Sequence, residues 1–173
     1  MRKINLHDAG NDLLNITREI EINLKGPVWM VKQFLPHLET KQTAAIVNIS
    51  SGLAFVPLPI SPIYSATKAA IHSFTQSLRI QLKNTNIRVF ELAPPGTETP
   101  LFRGEFTADD LGGAKGMDVQ ILAKRAIDGL RKDVLEIRPG LSNVLKLMSR
   151  LAPQFILKQL GKSTDKMLAL TTT

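Results

Sequence analysis

Residues 46–68 constrain this chain more than any other stretch. Ile46, Val47 and Ile49 surround Asn48 in a short β-branched run that suits a buried strand, and the run ends in Ser50, Ser51 and Gly52. Parallel sheets place reactive groups just beyond the carboxyl ends of their strands, where both serines fall. A loop broken by Pro57, Pro59 and Pro62 follows, and a helix then opens with Tyr64 and Lys68 four residues apart. That spacing puts a phenol and an ammonium on one helix face. A free phenol ionises near pH ~10, which makes it a poor acid or base at neutrality. An adjacent cation favours the phenolate and lowers that value; a drop of about 3 units requires about 4 kcal/mol. Tyr64 is the only tyrosine in the chain, and a loop and one helical turn can fold it back across Ser51.

The remaining pattern alternates helix and strand. Residues 1–10 show no period and read as a loop. Residues 12–38 read as a helix, capped by Asn15 or Thr17 with Glu19 and Glu21 in its first turns. Ile20, Leu24, Val28, Val31, Leu35 and Leu38 form its apolar stripe. Gly26-Pro27 should kink it or split it in two. Ser61-Pro62 starts a second helix to about Lys83, with Ala66, Ala69, Ala70, Ser73 and Ser77 allowing close approach of another helix. Residues 87–92 form a second strand, stopped by Pro94-Pro95. Residues 100–116, with Gly104, Gly112, Gly113 and Gly116, suit a mobile lid. Asp118 caps a further helix, 133–137 is a third short strand, and 143–160 is a basic amphipathic helix broken by Pro153. That last helix either packs on the domain or touches a membrane surface. The apolar residues Leu53, Phe55, Val56, Leu58 and Ile60 either line a pocket or simply pack. Thr171-Thr172-Thr173 reads as a frayed end.

Composition narrows the function classes. A chain of 173 residues is one domain's worth, and 43% hydrophobic with 21% charged residues is ordinary for a globular protein. The absence of cysteine excludes disulfides and thiolate chemistry. No apolar run reaches membrane-spanning length and no signal-peptide core follows Met1, so an integral membrane segment is not expected and a cytoplasmic location is. The net charge of +7 is scattered, and one Trp and one Tyr offer little to stack on bases, so no nucleic-acid partner is expected. His7, His37 and His72 stand far apart with no carboxylate cluster at ligand spacing, and no metal site is expected.

On Asn48-Ile49-Ser50-Ser51, on Tyr64-Ser65-Ala66-Thr67-Lys68 and on Ala93-Pro94-Pro95-Gly96-Thr97-Glu98-Thr99, the chain resembles the short-chain dehydrogenase/reductase family. The likeness runs over almost the whole chain. It implies an α/β fold: the C-terminal portion of a Rossmann-like doubly wound parallel sheet, about three strands, with flanking helices. The domain would be 1–173, with 141–173 a helical tail. It further implies hydride transfer between NAD or NADP and a small-molecule carbonyl/alcohol substrate. Ser51, Tyr64, Lys68 and Asn23 would be catalytic. Tyr64, Lys68, Pro94, Thr97 and Thr99 would contact the cofactor. Pro95 stands where the family commonly has glycine, so Thr97 and Thr99 take the positions facing the nicotinamide. A homo-oligomer through helices around 12–38 and 62–83 is implied as well.

No glycine-rich dinucleotide fingerprint lies within residues 1–173. The expectation is therefore an N-terminally truncated form with impaired cofactor binding, or alternatively a non-catalytic fragment acting only through helix-mediated association. Either way the 44–49 strand becomes an edge, apolar on both faces.

Overall fold

The structure is a computed structural model that describes residues 1–8, 10, 12–107, 110, 113 and 115–169, without the side chains of Lys166 and Ala169. Gly112 of the expected lid and the expected frayed end at Thr171–Thr173 lie outside the described residues. The fold is α/β, with a three-stranded parallel sheet flanked by helices. Strand β1 (Ala44–Ile49) pairs with β2 (Ile87–Leu92) over its whole length, from Ala44 opposite Ile87 to Ile49 opposite Leu92. β2 pairs in turn with β3 (Glu136–Ile137). Helix α3 (Pro62–Gln81) connects the first two strands and α5 (Val119–Arg131) the last two. Such crossovers are what parallel strands require.

Packing explains the strands. Val89 and Ile87 of β2 are buried with Leu78 of α3 and Leu82, against Val31, Leu35 and Leu38 of α2 (Gly26–Glu39). Asn48, the polar residue within β1, is buried with its amide donating to Thr75 Oγ1 at 2.9 Å, which fixes α3 on the strand. β1 is the sheet edge among the described residues, and Val47 and Ile49 are exposed there.

The N-terminal helix differs from the sequence reading. Asp12, not Asn15 or Thr17, caps α1 (Leu13–Ile20), its side chain accepting from the Leu14 N–H. No break separates α1 from α2. A single π-helical turn, Glu21–Lys25, joins them, and the Gly26 N–H bonds to the Glu21 carbonyl five residues back. Pro27 has no N–H, so the carbonyl of Asn23 loses its ordinary donor four residues on. The wider turn is how the helix continues past that gap.

Three further elements are adjusted. Ser61 precedes α3 but does not cap it: its hydroxyl donates to the Arg2 carbonyl at 2.7 Å and ties the N-terminal segment down. The third strand has only two residues, because Asp133 sits at φ 56° and turns the chain just before it. The basic helix is two, α6 (Leu141–Leu151) and α7 (Pro153–Ala169), which meet at Ala152 as Pro153 dictates. The expected lid begins with α4 (Pro100–Arg103), and Thr97 makes a parallel bridge to Met117 that closes the segment between them.

Candidate active site

The sheet's carboxyl end and α3 form the wall of one cavity of about 1100 Å³. β1 ends at Ile49, and the chain carries Ser50 and Ser51 out over β2: the Ser50 N–H bonds the Leu92 carbonyl at 2.9 Å and the Gly52 N–H bonds the Pro94 carbonyl at 2.8 Å. Ser51 is buried, and its hydroxyl accepts the Leu53 N–H at 3.2 Å, which fixes its rotamer. Gly52 is required here. A Cβ on it would lie 2.8 Å from Ser142 Oγ and 3.1 Å from a Leu145 methyl carbon.

Tyr64 and Lys68 reach the same cavity from the first turns of α3. Ser51 lines the cavity with them. Burial pushes the Tyr64 phenol up to about 12; hydrogen bonding towards Ser51 pulls it down and the negative charge of Glu19 pushes it further up. The sequence reading had the ammonium lowering this value. The reversal has a geometric cause. Lys68 Nζ donates to the Ile49 carbonyl at 3.0 Å and lies 5.5 Å from the centre of the Tyr64 ring, over its face. Burial also lowers the Lys68 ammonium from its ordinary value, which the Glu19 charge resists.

Glu19 is the residue that sequence reasoning missed. Placed by its neighbours in a polar first turn, it is in fact 6% exposed, with the Met1 amino group 3.1 Å from its Oε1. Its position one turn before Asn23 is the signal that was available. Asn23 lies in the π-helical turn, half-buried, with its amide 3.4 Å from Thr67 Oγ1. It lines a second groove of about 420 Å³ together with Lys68 and the edge of β1, rather than the large cavity.

Pro94, Thr97 and Thr99 line the far side of the large cavity, with Leu101, Phe102, Leu141, Leu145 and Leu160 giving it an apolar floor. Glu98 N–H and Met117 N–H form the bridge on one side of the chain, at 2.9 and 2.7 Å. Thr97 therefore turns its own N–H the other way, and that N–H has no partner among the described residues. The Thr99 hydroxyl donates to the Thr97 carbonyl at 3.2 Å and accepts the Phe102 N–H, capping α4.

Folding also assembles a cluster that sequence spacing concealed. His72, Glu91 and Glu136, far apart in the chain, bring possible metal-ligand atoms within 4.8 Å of one another. The Lys146 ammonium sits among them, 3.2 Å from Glu136 Oε1 and 3.3 Å from His72 Nε2. A cation already fills the place a metal ion would take.

Comparison with known proteins decides the family. The family model described as short chain dehydrogenase matches residues 6–110, well over half the chain. The chain belongs to the short chain dehydrogenase family. Among relatives of this oxidoreductase family, DltE of Bacillus subtilis (strain 168), described as an uncharacterized oxidoreductase, is 42% identical over 120 residues. Those residues are 69% of this chain and 47% of DltE, so the chain spans about half the length of the curated relatives it matches. Among solved structures, a short-chain dehydrogenase from Sphingobium yanoikuyae in complex with NADPH superposes with a TM-score of 0.71 at 25% identity, covering 88% of this chain and 59% of that one. A 3-ketoacyl-(acyl-carrier-protein) reductase from Brucella melitensis complexed with NADH gives 0.68 at 26% identity, covering 82% and 62%. No helix among the described residues is long and apolar enough to cross a membrane.

Proposed function

We propose that this chain carries the hydride-transfer centre of an NAD- or NADP-dependent oxidoreductase acting on a small-molecule carbonyl/alcohol pair. Ser51, Tyr64 and Lys68, brought together on the wall of one large cavity, carry this reading. The residues present fit a nicotinamide cofactor. Thr97, Thr99 and Lys68 all line the cavity, and the Thr97 N–H, the Thr99 hydroxyl and the Lys68 ammonium would suit a carboxamide and the hydroxyls of a ribose. Two solved structures of similar fold, the Sphingobium dehydrogenase and the Brucella reductase, hold NADPH and NADH. The bound nicotinamide would supply or accept the hydride.

The protein's own part follows from its donors. Ser51 and Tyr64 together would hold the substrate carbonyl oxygen and stabilise the charge that develops on it. As the carbonyl carbon gains hydride, its oxygen takes the phenol proton, so the C=O π bond is replaced by a C–H and an O–H bond. A phenol pushed up to about 12 holds its proton throughout the neutral range, so the resting site carries the proton that carbonyl reduction takes up. Lys68 would hold the hydroxyls of the cofactor ribose beside that phenol. Asn23, whose carbonyl lacks its helix donor, would hold a water on the path that returns the proton. The apolar floor of Leu101, Phe102, Leu141 and Leu145 suits a substrate with apolar parts. A homo-oligomer through 12–38 and 62–83 belongs to the same reading, supported by the exposed Trp29, Met30 and Phe34 of α2.

Calorimetric titration of the chain with NADH and with NADPH tests the proposal. Saturable binding of at least one is expected, weakened by Thr97→Pro, which removes the free N–H. No saturable binding of either would contradict it.

A further inference from the structure

Glu91 takes no part in the proton transfer, yet it lies directly behind it. Its side chain, in the middle of the sheet, is wholly buried. A carboxylate so placed must be paired and hydrogen-bonded, and both of its oxygens are engaged. The Ser50 hydroxyl donates to Oε1, and His72 Nδ1 stands 2.7 Å from Oε2 and 3.0 Å from Oε1. His72 lies four residues beyond Lys68 and eight beyond Tyr64, on one face of α3. Its other nitrogen meets the Gln76 amide nitrogen at 3.0 Å and the Lys146 ammonium at 3.3 Å. An ammonium only donates, so Nε2 accepts and the ring proton sits on Nδ1, aimed at Glu91.

The surroundings complete the network. Lys146 of α6 also pairs with Glu136 and lies 4.4 Å from the centre of the Phe55 ring, which makes a T-shaped contact with His72. Arg138 donates to Glu136 at 2.9 Å. Two carboxylates thus face two cations, a balanced set with no charge left over for a further ion.

The two ends of this chain of contacts are the two halves of the site. Ser50 precedes Ser51 at the end of β1, and His72 shares a helix face with Tyr64. We propose that Glu91 and His72 are positioning residues: the carboxylate clamps the strand end through Ser50 and α3 through His72, and so sets the separation of Ser51 from Tyr64. Its effect on turnover rests on the function proposed above; the clamp itself does not.

Because Tyr64 is the only tyrosine, the Raman Fermi doublet of the phenol reports the hydrogen bonding of this one residue in the cofactor-free chain. His72→Leu and Ser50→Ala are expected to shift the doublet ratio towards that of Ser51→Ala. His72→Asn, whose amide can stand in the Nδ1 place, is expected to keep the wild-type ratio. In turnover, His72→Leu should lower kcat by about tenfold or more with little change in the cofactor KM. Ser50→Ala removes a single oxygen and serves if the leucine variant does not fold. A wild-type doublet in folded Ser50→Ala would overturn the proposal, as would a shift in His72→Asn equal to that in His72→Leu. Shifted doublets without any hydride transfer would support the clamp and sink the function reading instead.

Discussion

Tyr64 is where residue-scale chemistry can be measured in isolation. An unfolded phenol ionises near ~10, whereas burial holds the folded one at about 12. Below about pH 10 both states keep the proton and the full stability is present. Between about 10 and about 12 only the unfolded state loses it, so stability falls, by at most about 3 kcal/mol. Urea-unfolding curves at pH values across that window should show this loss in the wild type and a smaller one in Tyr64→Phe. Equal losses in both would show that the phenol is not held as described. Spacing alone made Ser51, Tyr64 and Lys68 legible as a group. It could not reveal the direction of the Tyr64 shift. That depends first on burial of the phenol and then on a carboxylate, Glu19, that pushes the same way. Glu19 was hidden because its neighbours Arg18 and Glu21 are charged, and its pairing with the Met1 amino group arises only on folding.

At the scale of elements, α5 offers two tests. Asp118 caps it by accepting the N–H groups of Gln120 and Ile121. Asp118→Ala should cost about 1 kcal/mol in thermal or urea unfolding. Gly129, inside the same helix, would ordinarily gain about 1 kcal/mol on replacement by alanine. Here the new Cβ would lie 2.7 Å from Ile137 Cγ1 and Cδ1 and 3.1 Å from Cγ2 on β3. A β-branched side chain has little freedom to yield, so Gly129→Ala should instead destabilise by about 1–3 kcal/mol. A stabilised variant would contradict the packing of α5 on β3. The cap at Asp118 was plain in the sequence because the apolar period starts directly after it. The π-helical turn was not, since Gly26-Pro27 signals a disturbance without saying whether the helix breaks or widens. Nor was the shortness of β3, which follows from the left-handed backbone at Asp133.

For the whole molecule, the decisive feature is the edge of the sheet. The sequence pattern of 44–49 already implied it, since both faces of that run are apolar and few strands follow. The structure exposes Val47 and Ile49 on β1 beside Met30 and Phe34 of α2. An open parallel edge of this kind pairs readily with other chains. Sedimentation velocity should show concentration-dependent association, reduced in Val47→Lys, while a monodisperse wild-type monomer at high concentration would contradict this. The proposed function rests instead on the carboxyl ends of the strands, where Ser51, Tyr64 and Lys68 share one cavity. The most direct test there is transfer of deuterium from NADH or NADPH labelled at the nicotinamide to a panel of ketones and aldehydes, followed by mass spectrometry of the alcohols. The wild-type chain should label at least one product, and Tyr64→Phe should bind the cofactor equally but label it at least about 100-fold more slowly. Labelling at the wild-type rate by Tyr64→Phe, or none by the wild type despite bound cofactor, would contradict the account.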